Sequence, residues 1–313
     1  MSQGPAETSL TRAQGSVLVL LVGAVLSFGG LAFRLTDDVD PWEYLVARGA
    51  GLLGVVVAIF GWRAVRQVTP GLGDVARSVR AIHLVIGLVL CSTNVLFIVL
   101  LDVTTVAFVL FTQSLGPLAA AWFSWWLYRE RVSAKTLIAT GASVLGVLVM
   151  VAGTVTDDVS PWALLTLVLP MAFGLYTSLY RGAGDVSPYV PVMVTGVCLV
   201  LGGAAVVLAT GGFDLSLRDA AIGFFAGSVL LGVPIVGLNL ALRVVPGPMA
   251  ALLIMTEVVL APVWVWVFVD ERPEPTTVLG GAIILAAVVW LTAAQVRSAQ
   301  VRAAQVRSVS QPG

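Results

Sequence analysis

Ten apolar stretches limit what this chain can become. They run at 15–33, 44–62, 81–101, 104–128, 136–153, 161–180, 188–210, 220–241, 249–269 and 277–294. A hydrocarbon core about 30 Å thick needs roughly 17–25 apolar residues per helical crossing, and each stretch meets that length. The connections are short and carry Gly, Pro and Asp; only Asp102 and Val103 separate the third stretch from the fourth. No connection has room for a second, soluble domain. Charge content agrees, because 58% of the 313 residues are apolar and 11% are charged, whereas a soluble domain carries about 25% charged residues. The reading is an all-α integral membrane protein with ten transmembrane helices.

The first stretch is longer than a signal-peptide core and its leader, 1–14, holds a single basic residue, Arg12, so it reads as a retained helix. Beyond the last stretch, Gln-Val-Arg recurs at 295–297, 300–302 and 305–307. A period of five fits no helical face, and 295–313 is expected to be a frayed or disordered basic tail.

Loop charges set the orientation. With the N-terminus inside, the cytoplasmic segments hold Arg12, Arg63, Arg66, Arg77, Arg80, Arg129, Arg131, Lys135, Arg181, Arg243, Arg297, Arg302 and Arg307, which is 13 of the 17 basic residues. Asp37, Asp38, Asp40, Asp157, Asp158, Asp214, Asp219, Asp270, Glu271 and Glu274 all fall outside. Both termini are therefore expected in the cytoplasm, with the chain in the cytoplasmic membrane.

Shifted by 141 residues, the fourth and fifth stretches overlay the ninth and tenth without a gap. Trp125, Glu130 and Arg131 meet Trp266, Glu271 and Arg272 at the same point between two spans. Five spans per copy is an odd number, so the second copy enters the membrane from the opposite side. The halves, 15–153 and 161–294, are read as two inverted five-helix repeats, a construction shared by many secondary transporters.

In the order of its motifs the chain resembles the EamA-type transporters of the drug/metabolite transporter superfamily. The resemblance rests on Ser27-Phe28-Gly29-Gly30 with Arg34, on Pro41 to Arg48, on Ser114-Leu115-Gly116-Pro117 followed by Trp125 to Arg131, and on Thr256-Glu257-Val258 followed by Trp266 to Arg272. Val258 stands where the family often has proline, and Ala139 where it often has glycine. The resemblance implies ten helices and export or exchange of small organic metabolites or drug-like compounds.

Chemistry concentrates in few residues. Glu257 lies near the middle of an apolar run, where an acid costs roughly 2.5–3.5 kcal/mol to insert, so it should face a cavity and is the candidate for proton coupling, or else it ties two helices together. Arg48, about one turn inside the second helix, attracts an anion, pairs with a carboxylate, or snorkels to the headgroups or the acidic first loop. Asn94, Gln113, Ser114, Tyr176 and Asn239 are polar residues deep in spans, with Ser92, Thr93 and Thr177 beside them. They are expected to point into the protein, as cavity lining or as helix-to-helix hydrogen bonds. Pro117, Pro170, Pro234 and Pro262 interrupt spans. Trp122, Trp125, Trp126, Trp264 and Trp266 read as interfacial anchors.

Other chemistries find no footing. One histidine, His83, supports neither a metal site nor a catalytic triad, and Cys91 and Cys198 have no metal or redox spacing. No nucleotide-binding loop is present, so neither a cofactor nor a nucleic acid is expected. The expected partners are a small-molecule substrate, the lipid bilayer and, for coupling, protons. The rival readings are a non-transporting membrane scaffold or sensor, for which no signalling domain fits, and an intramembrane enzyme, for which no HExxH or paired intramembrane aspartates exist.

Overall fold

A computed structural model describes residues 10–37, 39–66, 71–77, 79–103, 109, 113, 115–130, 132–151, 168–184, 186–269 and 275–309. Every described element is a helix: α1 (Arg12–Leu26), α2 (Gly29–Arg34), α3 (Pro41–Val65), α4 (Leu72–Arg77), α5 (Ala81–Val103), α6 (Gly116–Tyr128), α7 (Ala134–Val151), α8 (Val168–Gly182), α9 (Val190–Thr210), α10 (Leu217–Phe225), α11 (Val233–Leu242), α12 (Gly247–Ile254), α13 (Thr256–Val269) and α14 (Pro275–Val309). A seven-residue π-helical segment, Ala226–Gly232, joins α10 to α11. Five helical runs are long and apolar enough to cross a membrane: Arg12–Arg34, Pro41–Val65, Ala81–Asp102, Val190–Thr210 and Leu217–Leu242. Shorter apolar helices occupy Ala134–Val149, Gly247–Ala261 and Val278–Leu291.

Local chemistry sets the helix starts. Thr11 accepts from the Gln14 amide and the Gln14 side chain accepts from the Thr11 amide, a reciprocal cap that opens α1. Asp40 caps α3 through the Trp42 amide at 2.8 Å, with Pro41 in the first turn where its missing N–H is harmless. One expectation fails at the other end of the chain. Helix α14 runs on to Val309, so 295–309 is helical, not disordered. That stretch is built of Ala, Gln, Arg, Val and Ser, and no Gly or Pro interrupts it between Gly281 and Pro312, so propensity sustains the helix where periodicity gave no face.

The principal packed pairs keep their pattern when the two halves are exchanged. Helices α7 and α14, α3 and α9, and α6 and α12 each pack on their own counterpart. The remaining large contacts come as matched sets: α6 on α8 with α12 and α13 on α1, α5 on α8 with α11 on α1, and α5 on α9 with α10 and the π segment on α3. Lipid gives helices no hydrophobic reason to associate, so close backbone approach supplies the attraction. At the α3–α9 crossing a Cβ on Gly196 would sit 3.1 Å from the Gly49 carbonyl oxygen, so the helices meet backbone to backbone.

Polar ties among the described residues gather at two separate ends. At one, Arg218 pairs with Asp37 and donates to the Leu35 carbonyl at 3.1 Å, and Glu43 accepts from the Asp214 amide at 2.6 Å. At the other, Arg181 pairs with Glu130 at 3.0 Å, and Arg63 donates to the Tyr189 hydroxyl at 3.4 Å.

Candidate functional site

Three helical runs lose their regularity in the same region. The first run breaks at Ser27-Phe28, between α1 and α2; the fifth, Leu217–Leu242, carries the π segment; the next apolar helix breaks at Met255, between α12 and α13. The first run adjoins the other two: α1 packs on α12, α13 and the π segment, and α2 packs on α13 and the π segment. Irregular backbone at membrane depth is tolerated where protein surrounds it or where it lines a cavity. The break at Met255 falls one residue from the position that the 141-residue shift assigns to Leu115, which directly precedes α6. Both halves therefore start a short helix at matching depth.

Arg48 and Glu257 project into this region from opposite halves. Arg48 is 5% exposed, and neither its Nε nor its Nη1 has a hydrogen-bond partner. Tyr44, one turn earlier on the same face of α3, is fully buried with its hydroxyl equally unpartnered. The expectation that Arg48 snorkels to headgroups or to the first loop does not hold: Arg218 takes Asp37 of that loop, and Arg48 stays inside. The π segment presses on it, because a Cβ on Gly227 would collide with the Arg48 carbonyl.

Glu257 sits in the first turn of α13, 9% exposed. Unsatisfied N–H groups at a helix start present positive charge to such a carboxylate. The charges of Arg48 and Glu257 act on each other, yet no contact ion pair joins them among the described residues. Seven residues on, and so on the same helical face, Trp264 stacks on Phe28 with ring centroids 4.3 Å apart and donates from Nε1 to Ser27 Oγ at 2.6 Å. Trp264 thus fastens α13 to the break in the first run, whereas Trp122, Trp125 and Trp126 are about half exposed, as anchors would be.

Tyr176 and Asn239 come together elsewhere. The Tyr176 hydroxyl donates to Asn239 Oδ1, and Asn239 Nδ2 donates to the Pro188 carbonyl at 2.8 Å. Nearby, Tyr180 and Arg243 both donate to the Val186 carbonyl. Asn239 lies twelve residues beyond Gly227, or about 18 Å along a helix axis. This network pins the 186–189 segment, and its polar groups already serve one another.

Asn94 is buried and donates to its own helix at Leu90, and Ser92 and Thr93 bond back to Val89 and Leu90 in the same way. Ser92 does so while exposed, so it need not point inward. Gln113 keeps a buried Oε1 without a partner, and Ser114 lies outside the described residues, as do Glu271 and Arg272. His83 is buried, and its Nδ1 accepts from the Arg80 amide at 3.1 Å. Sequence reasoning missed Tyr44 and Ser27. Tyr44 shares a helical face with Arg48 four residues on, the one signal that could have found it; Ser27 had none beyond its place before two glycines.

Residues 13–152 and 160–293 each match a family model described as the EamA-like transporter family. No curated protein matches the chain. Among solved structures 27 chains match; one, described as "Crystal structure of protein", is 16% identical with a TM-score of 0.73, covering 89% of this chain and 96% of that one. At that identity the likeness establishes the fold.

Proposed function

This chain belongs to the EamA-like transporter family, and on that footing we propose that it is a secondary transporter that exports a small organic metabolite or drug-like compound. It is a multi-pass membrane protein of two repeats; in this reading the repeats span the membrane ten times, are inverted, and keep both termini in the cytoplasm. The observation that carries the reading is the exchange-symmetric packing with irregular helix segments gathered around Arg48 and Glu257. Two halves that pack alike in either role can swap conformations and open one central site to each side in turn. The substrate then binds near the midplane, and Glu257 is the carboxyl that carries a proton between the two sides. A scaffold or sensor would have no use for a buried, unpaired arginine beside a buried acid, and the reading is of a carrier, not an enzyme.

The test is transport by the purified chain in proteoliposomes, on solutes picked by metabolite-accumulation screening, with and without an imposed pH gradient. Movement of a solute that a gradient accelerates is the expected result. Glu257→Gln should then transport without that acceleration. If no solute moves under any gradient the carrier reading fails, and if Glu257→Gln keeps the wild-type pH response only the coupling role falls.

A further inference from the structure

Resting on the carrier reading, we propose that Arg48 with Tyr44 forms an anion subsite, and that the transported solute carries a carboxylate which this subsite holds. Three donors on one face of α3, namely Arg48 Nε, Arg48 Nη1 and the Tyr44 hydroxyl, are buried and have no partner. Burying phenolic and guanidinium donors without hydrogen-bond partners is unfavourable, even where the charge of Glu257 bears on the guanidinium. Chains are not expected to retain such an arrangement for stability.

A bound anion resolves it. A carboxylate accepts through two oxygens, which suits a planar guanidinium and leaves a lone pair for the hydroxyl. Depth argues against a lipid headgroup as the occupant. Arg48 is seven residues from Pro41, the first residue of α3, about 10 Å along the helix, and is 5% exposed. Charge argues for a monoanion. With Glu257 protonated, as the carrier reading has it in the proton-loaded state, one carboxylate matches one guanidinium, whereas a doubly charged phosphate leaves a charge uncompensated.

Gly227 supports the arrangement. The π segment lies against the Arg48 backbone only because Gly227 lacks a side chain. Insertions of this type in helices recur at functional sites.

The experiment is thermal unfolding of the full chain purified in detergent, without solute and then with acetate, benzoate, methyl benzoate and inorganic phosphate. In the absence of solute, Arg48→Gln should unfold about 2–4 °C above wild type, since it removes buried guanidinium donors that have no hydrogen-bond partner. A fall would mark Arg48 as a structural residue and overturn the proposal. In wild type, the two carboxylates should raise the midpoint saturably and the ester should not. That rise should vanish in Arg48→Gln and weaken in Tyr44→Phe, a variant that keeps the charge and the ring. Stabilisation by the ester as well, persistence of the rise in Arg48→Gln, no rise with any carboxylate, or a larger effect from phosphate would each overturn the carboxylate assignment. If that assignment fails while solute still crosses proteoliposomes, the carrier reading stands.

Discussion

Arg48 and Asn239 are both buried polar side chains in apolar helices, and their surroundings treat them in opposite ways. Asn239 accepts from Tyr176 and donates to Pro188, so removing it strands two other groups. Removing Arg48 strands no hydrogen-bond partner of its Nε or Nη1, because neither has one. Asn94 is a third case, spending its amide on its own helix. The expected order of damage follows. Asn239→Ala should cost about 1–3 kcal/mol, the penalty for groups left buried and unpaired. Asn94→Ala should cost about 0.6 kcal/mol, the average for one such bond in a membrane protein. Reversible unfolding in mixed micelles measures both, and equal costs would mean that the Tyr176–Asn239–Pro188 network is not what holds the 186–189 segment.

At the level of the element, the irregular helices have separate local causes. Pro234, two residues beyond the end of the π segment, has no N–H to offer, which favours a slipped hydrogen-bond ladder before it. The break at Met255 has no such mark, since Ile254-Met255-Thr256 contains neither Gly nor Pro. It was illegible for that reason. Glu257 and Arg48 were legible because an ionisable residue inside an apolar run is an exception that a sequence cannot hide. Whether Arg48 stayed inside depended on tertiary packing, including the approach of the π segment at Gly227, far along the chain. The packing role of Gly227 is open to test. Gly227→Val should destabilise by about 1–3 kcal/mol through overpacking against the Arg48 carbonyl, and thermal unfolding should show Gly29→Ala close to wild type, since a Cβ there meets nothing within 4 Å. Comparable losses in the two variants would show that the π segment does not depend on that contact.

Across the whole molecule, the duplication was readable from Trp125-to-Arg131 against Trp266-to-Arg272, yet the way the halves interlock was not, because which helix faces which is settled by shape. The structure brings Cys91 of α5 beside Cys198 of α9, thiol against thiol. Their separation of more than a hundred residues gave no spacing from which to read that pair. They are one more contact across the division between repeats.

That division has a consequence for how the chain is made. Among the described residues the heaviest packing joins one half to the other, and the first half has few contacts of its own. A ribosome delivers the first half to the bilayer before any of its main partners exist. Until the second half arrives, those helices must wait in lipid with glycine-rich faces uncovered and exposed to quality-control proteases. The chain cut between 152 and 160 should therefore behave as two unstable fragments when each is expressed alone, and as one long-lived, co-purifying complex when both are present. Pulse-chase lifetimes decide the matter, and a first fragment that persists unaided would mean it can complete its own fold.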